Sequence, residues 1–385
     1  MEIFVLKSDE VAAITRGTHG NPHHILGMHQ CLNDCYVNAY LPRATAAFVL
    51  RINEETGEPI FKYPMTEIGS QGFFTVKIED SGAFAYKLIT EGEQAAEFYD
   101  PYSFGYSVDP VNVMKVVNGD DGILSDFHVK DLFGARQITL DGVQGVSFCM
   151  NMPGATRVSV VGDFNGWDGR VNPMRRIDYT DMFELFIPGD LMNTRYKFEA
   201  LYRDGNTDIF ADPYAEVYEV APGNASVLAK LEYSWSDSSY MKKRGSVSAP
   251  VNIYEVHMPT WKRNSDGYPL NYLEFGKEAA MYVKNMGYNY IQFMPLMEYR
   301  DDNGWGYDTV GMFAPTSRFG TPTEFMAMVD HFHSKGICEG CGLHRILDRH
   351  ISSGRSKAGG RGTYQSIENN PRHCRRCCHD RSQVE

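Results

Sequence analysis

The feature that most constrains this 385-residue chain is that its first 240 residues contain one internal duplication. Setting Leu41-Pro42-Arg43-Ala44-Thr45 against Met152-Pro153-Gly154-Ala155-Thr156 brings the apolar stretches Ala46 to Leu50 and Arg157 to Val161 into register at an offset of 111. Gly72-Phe73-Phe74-Thr75-Val76 then faces Met182-Phe183-Glu184-Leu185-Phe186, Tyr86-Lys87 faces Tyr196-Lys197, and Asp100-Pro101-Tyr102 faces Asp212-Pro213-Tyr214. A period this long marks a duplicated domain, since solenoid units run to about 20–50 residues. Within each copy, short Val-, Phe- and Tyr-rich runs of alternating polarity are broken by Gly, Pro, Asn or Asp clusters, the pattern of an antiparallel β-sandwich of roughly a hundred residues. The expectation is two tandem all-β sandwiches, over 1–115 and 120–240.

From Val251 the period changes. Asn252 to His257 reads as a buried strand, Leu273 to Met286 has helical spacing and stops at Gly287, and Tyr290 to Pro295 reads as a second strand. Thr321-Pro322-Thr323-Glu324 then opens a helix ending near Gly336, with a capping box and Pro at its first position. Residues 251–337 are therefore the first part of a parallel α/β domain, two βα units long.

Residues 338–385 differ from the rest. They hold nine Lys and Arg against five Asp and Glu, so the chain's net −12 becomes −16 over 1–337. They also hold five of the eight cysteines and a single aromatic residue. Such a stretch cannot bury enough apolar surface to offset ordering entropy, so it is expected to be disordered or foreign to the preceding fold. Cys338, Cys341, Cys374 and Cys377 would suit a tetrahedral zinc, but the long gap between the pairs and the lack of a surrounding core argue against metal. No cofactor is expected. The acidic balance argues against nucleic acid, and no apolar run is long enough for a signal peptide or a membrane span, so a cytoplasmic location is expected. The Cys31, Cys35 and Cys149 thiols are then expected to be reduced.

Three motif groups carry a family resemblance. Tyr254-Glu255-Val256-His257, Trp305-Gly306-Tyr307-Asp308 and Phe313-Ala314-Pro315-Thr316-Ser317-Arg318-Phe319-Gly320-Thr321-Pro322 resemble the opening of the catalytic barrel in 1,4-α-glucan (glycogen) branching enzymes of the α-amylase superfamily. Val161 to Arg170, with Pro173-Met174-Arg175, resembles the glycogen-binding sandwich that precedes that barrel. His24-Ile25-Leu26-Gly27-Met28-His29 is similar to the start of the extra amino-terminal sandwich of the longer bacterial enzymes.

The resemblance implies a (β/α)₈ TIM barrel, here incomplete, that cuts an α-1,4 bond, holds the glucan as an ester on a carboxylate and passes it to a sugar 6-hydroxyl. Two carboxyls about 5–5.5 Å apart are needed for that chemistry. In the family they come from later barrel strands, and a barrel needs about 250 residues. No catalytic residue is therefore expected here. The abrupt change after Ile337 reads as a frame break, and the chain as written is expected to be inactive.

The resemblance also implies a partner, α-1,4-glucan, with five substrate-binding positions. Trp167 would stack on a glucose ring and Lys197 would bond hydroxyls, although the second stacking Trp of related modules, due near Gly205 to Phe210, is absent. Tyr307 would floor a sugar subsite, with Asp308 and Arg318 beside it. Glu298, Asp301 and Asp302 read as solvated loop charge. Two alternatives stand beside branching: a non-catalytic glucan-binding module, and a fragment of a glucan trehalohydrolase or debranching enzyme.

Overall fold

The computed structural model describes residues 6–69, 71–79, 81–93, 95–118, 132–243 and 250–341. Gly27–Cys31, Asp34–Tyr40, Phe73–Ile78 and Thr66–Ile68 form one antiparallel sheet in that order, and Pro59–Pro64, Ala44–Ile52, Tyr86–Gly92 and Ala96–Tyr99 form the sheet facing it. Alternate residues point inward, so Val37, Ala39, Val49, Ile78, Tyr86 and Leu88 make one core. The second copy repeats this plan. Arg175–Arg176, Met182–Pro188, Val143–Asn151 and Gly134–Leu140 form one sheet, and Ala155–Gly162, Arg195–Tyr202 and Thr207–Phe210 form the other, with Ser226–Val227 also paired to Arg195–Tyr202. Phe148, Val158, Val160, Phe183, Leu185 and Phe198 fill the space between.

The repeated Tyr-Lys and Asp-Pro-Tyr blocks form the same buried pin in each sandwich. The Tyr86 hydroxyl donates to Asp100 at 2.6 Å, and the Tyr196 hydroxyl donates to Asp212 at 2.6 Å. Each Asp also accepts from the amide two residues on, Tyr102 and Tyr214, at 2.9 Å. The motif thus ties the end of one strand to the turn that leaves the domain, with every buried oxygen partnered. The sandwiches pack together. The Tyr102 hydroxyl donates to the Val171 and Pro173 carbonyls at 3.1 and 3.2 Å, and Glu184, fully buried, accepts from the Ser107 amide at 2.9 Å and pairs with Arg175.

Beyond residue 250, Ile253–Val256, Tyr290–Phe293 and Cys338–Cys341 form a three-stranded parallel sheet. The third strand lies past the boundary placed at 337 from the sequence. Parallel pairing uses main-chain groups alone, so an extended segment can join the edge without the apolar side chains that sequence patterning needs. The connections are helices Tyr272–Asn285 and Pro322–Ser334, each opened by a capping box, Asn271 with Glu274 and Thr321 with Glu324. Their inner faces bury Phe275, Val283, Phe325 and Phe332 against Ile291 and Phe293. The zinc-type residues Cys374 and Cys377, like the rest of 342–385, lie outside the described residues.

Two devices fix this unit to the second sandwich. The hairpin Met297–Tyr299 with Thr309–Pro315 docks through Ala314 against Ala215 and Tyr218, and the Met312 amide donates to the Pro213 carbonyl at 3.0 Å. On the other side, Asp237 of the connecting segment meets His333 Nδ1 at 2.8 Å, both buried, while Asp330 accepts from the Ser236 amide and hydroxyl.

Candidate functional site

The strand Ala155–Gly162 ends in a tight turn organised by one buried amide. Asn165 Oδ1 accepts from the Gly162 amide at 2.9 Å, and its Nδ2 donates to the Val160 carbonyl and to Asn172. Gly166 and then Trp167 take left-handed conformations, φ 63° each, and the Trp167 amide returns to the Gly162 carbonyl at 3.0 Å. A bulky residue rarely adopts that φ. The result is an indole 38% exposed, with Nε1 donating to Asp163 at 3.2 Å.

Arg195, on the neighbouring strand, donates from its amide, Nε and Nη2 to Asp163 and from Nη1 to Glu219 at 2.9 Å. These bonds hold both carboxyls below their ordinary range. Lys197 stands two residues further along the strand, hence on the same outer face, and donates to Asn224 Oδ1. Trp167 and Lys197 are thus brought to one sheet face, Trp167 tied through Asp163 to Arg195, which stands two residues before Lys197 on the same strand. At the place of the missing second Trp stands Ile209, which is exposed. Sequence alone gave Asn224 no binding role. Its proximity to Lys197, like the roles of Asp163 and Arg195, was hidden because these residues meet across strands. Arg195 falls two positions before Lys197, the one-dimensional signal that could have found it.

The second group lies at the carboxyl ends of the parallel strands, where ligands of such sheets bind. Gly306, φ 87°, has its missing Cβ position 2.5 Å from the Pro295 carbonyl oxygen, so the turn admits only glycine. Trp305 then stacks on His257, centroids 5.1 Å apart and planes within 23°, and Tyr307 is 65% exposed. Burial lowers the pKa of His257, and its Nδ1 meets the Thr260 hydroxyl at 2.8 Å. Asp308 lies 3.6 Å from Arg300.

Arg318 is placed beneath this loop and is mostly occupied by it. It donates to Glu298 at 2.6 Å, Asp302 at 2.7 Å and the Tyr299 carbonyl at 3.1 Å, and lies 4.0 Å over the Tyr299 ring. Glu298 differs from its sequence expectation of solvated charge: it is buried, bonded also by the Thr316 hydroxyl and the Ser317 amide. Asp301, by contrast, is exposed and accepts from the Asn303 amide. The Ser317 hydroxyl donates to the Glu219 carbonyl at 2.9 Å. A hydrogen-bonded series therefore runs from Trp167 through Asp163, Arg195, Glu219, Ser317 and Glu298 to Arg318. Among the described residues there is no cluster of His, Cys, Asp and Glu that could hold a metal ion, and no helix long and apolar enough to cross a membrane.

Residues 7–102 match the family description "alpha-1,4-glucan branching enzyme GlgB, N-terminal domain", and residues 132–215 match carbohydrate-binding module 48, the isoamylase N-terminal domain. The chain is 38% identical over 340 residues to the 1,4-alpha-glucan branching enzyme GlgB of Paramagnetospirillum magneticum, and 37% identical over 343 residues to that of Rhodospirillum rubrum. Each match covers 86% of this chain, which spans 44% and 45% of those relatives' length. Among solved structures, a pullulanase from Anoxybacillus sp. LM18-11 is similar at TM-score 0.42 and 15% identity, over 82% of this chain and 47% of that one. A putative alpha amylase from Salmonella typhimurium gives 0.43 and 23%, over 54% and 32%.

Proposed function

We propose that this chain, an amino-terminal portion of a 1,4-α-glucan branching enzyme, grips α-1,4-glucan on the outer face of its second sandwich. Trp167 offers the stacking surface, and Lys197 with Asn224 offers a donor and an acceptor for sugar hydroxyls. The observation that carries this reading is the indole itself: more than a third in solvent, held in a left-handed conformation, its N–H fixed by Asp163. A core tryptophan has no use for that arrangement. The three parallel strands and two helices are the opening of a (β/α)₈ barrel, with Tyr307 and Asp308 lining the glucan path on its carboxyl face. Arg318 acts there by holding the loop that presents them. Cleavage of an α-1,4 bond and transfer to a 6-hydroxyl belong to the longer family protein, which works in the cytoplasm on glycogen. The 385-residue chain alone binds without branching.

Native-gel retardation in glycogen, paired with an iodine-staining branching assay, tests this. Retardation without a colour change is expected, with Trp167→Ala lowering affinity roughly ten- to thirty-fold. Unchanged mobility of the wild-type chain, or new α-1,6 branches made by it, sinks the proposal. The branching family is favoured over a trehalohydrolase or debranching enzyme because residues 7–102 match a branching-enzyme domain.

A further inference from the structure

The second sandwich carries another cleft, at the opposite end of the sheet that bears Trp167. Strand Ala155–Gly162 starts there and strand Arg195–Tyr202 ends there, a separation of roughly 23 Å at about 3.3 Å per residue. The cleft is open, ≈ 420 Å³, and lined by Gly154, Ala155, Thr156, Arg176, Asp181 and Arg203. That size falls within the ~300–1,000 Å³ of small-ligand sites. Arg176 is anchored, donating to the Ala155 carbonyl and lying 4.9 Å over the Phe183 ring. Among the described residues, the Asp181 carboxylate and the Arg203 guanidinium have no partner, so both are available to a ligand.

The turn that joins Arg176 to Asp181 carries an aromatic residue, Tyr179, two positions before the cleft's Asp181. The Thr180 amide donates to the Ile177 carbonyl at 3.1 Å, which closes a turn with Tyr179 at its third position. Tyr179 has φ 62° and is 98% exposed. Glycine or asparagine is the ordinary occupant where a turn needs positive φ. A bulky aromatic residue here gains no burial to offset the strain, and such outliers concentrate at ligand sites.

The geometry points to a second saccharide subsite, in which the Tyr179 ring stacks on one sugar while Asp181, Arg203 and Arg176 bond its hydroxyls. The forked guanidinium and the carboxylate match vicinal hydroxyls as acceptors and donors. A bare anion would use only the two guanidinium groups and leave Asp181 without a donor, whereas sugar hydroxyls serve both signs. The site is separate from the Trp167 face and does not depend on it.

The test uses the full chain with maltoheptaose and glycogen. In a Trp167→Ala background, residual binding is expected, falling at least roughly fivefold with Tyr179→Ala or Arg203→Ala and persisting with Tyr179→Phe. Tyr179→Gly should lose the same affinity while raising Tm by roughly 2–4 °C, as the strain is relieved. No residual binding after Trp167→Ala, residual binding indifferent to Tyr179 and Arg203, or a cleft that takes inorganic phosphate instead of maltoheptaose each overturns the inference. Binding that ignores Trp167→Ala but falls with Tyr179→Ala supports this site and removes the Trp167 reading.

Discussion

Tyr196 donates its hydroxyl to Asp212 inside the second sandwich, and the structure repeats the same bond, at the same 2.6 Å, between Tyr86 and Asp100 in the first. Removing one hydroxyl leaves a buried carboxylate short of a donor. Tyr196→Phe should cost about 1.5–3 kcal/mol, the worth of a hydrogen bond to a charged group. Tyr86→Phe should cost a similar amount in its own domain, and the double variant should be additive because the pairs are far apart. Urea melts of the single and double variants measure this, and strong non-additivity would show that the two Tyr–Asp pairs are energetically coupled across the sandwiches.

Asp100 also gives the first sandwich a pH signature. Burial, only partly offset by the Tyr86 and Tyr102 donors, raises its pKa from 3.8 to about 6. Between pH 4 and 6 the folded chain therefore keeps a proton that the unfolded chain has released, so folding is penalised as pH rises. The contribution of this site should fall by ~2 kcal/mol from pH 4 to pH 6, out of ~3 kcal/mol over the whole range, and level off above pH 7. Asp100→Asn should flatten that slope, as read from denaturant midpoints across the range.

Gly306 can be tested by a single methyl group. Its φ of 87° and the Pro295 carbonyl oxygen 2.5 Å from the added Cβ oppose any side chain. Gly306→Ala should destabilise the loop by at least about 2 kcal/mol. It should also break the Trp305–His257 stack, seen as a change in Trp305 fluorescence, while glycogen retardation through Trp167 is retained.

The Arg318–Glu298 pair is nearly excluded from water, with side chains 13% and 5% exposed. Arg318→Met leaves Glu298 charged and buried, at an expected cost of about 3–5 kcal/mol. Adding Glu298→Gln should recover much of that loss. If Arg318→Met instead leaves the melting curve unchanged, the residue is free to contact ligand directly.

The duplication was legible because strand pairing repeats with the chain: Ala44–Ile52 and Ala155–Gly162 begin at equivalent positions of the two copies. The second helix start in the α/β part was legible from the Thr321-to-Glu324 spacing, since capping is local, and the first helix from its apolar period over Leu273 to Met286, its Asn271–Glu274 box being seen only in the structure. What could not be read was long-range. Glu298 looked like loop charge because its partner, Arg318, is twenty residues away. His257 and Trp305 meet across forty-eight residues, and the Asp-Pro-Tyr motifs, visible as a repeat, gave no hint of the tyrosine hydroxyl each receives. The edge strand Cys338–Cys341 was hidden for the opposite reason, because its composition carries no strand signal.

The docked hairpin at Met297–Tyr299 and Thr309–Pro315 has a consequence for how a long polymer would be handled. With Ala314 seated against Tyr218 and the Ser317 hydroxyl on the Glu219 carbonyl, the Trp167 turn and the Tyr307 loop keep a constant bearing to each other. On the proposed glucan reading the scaffold would behave like a caliper: the interval between its jaws is set by folded protein, and a glucan too short to reach both would gain only one of the two footholds.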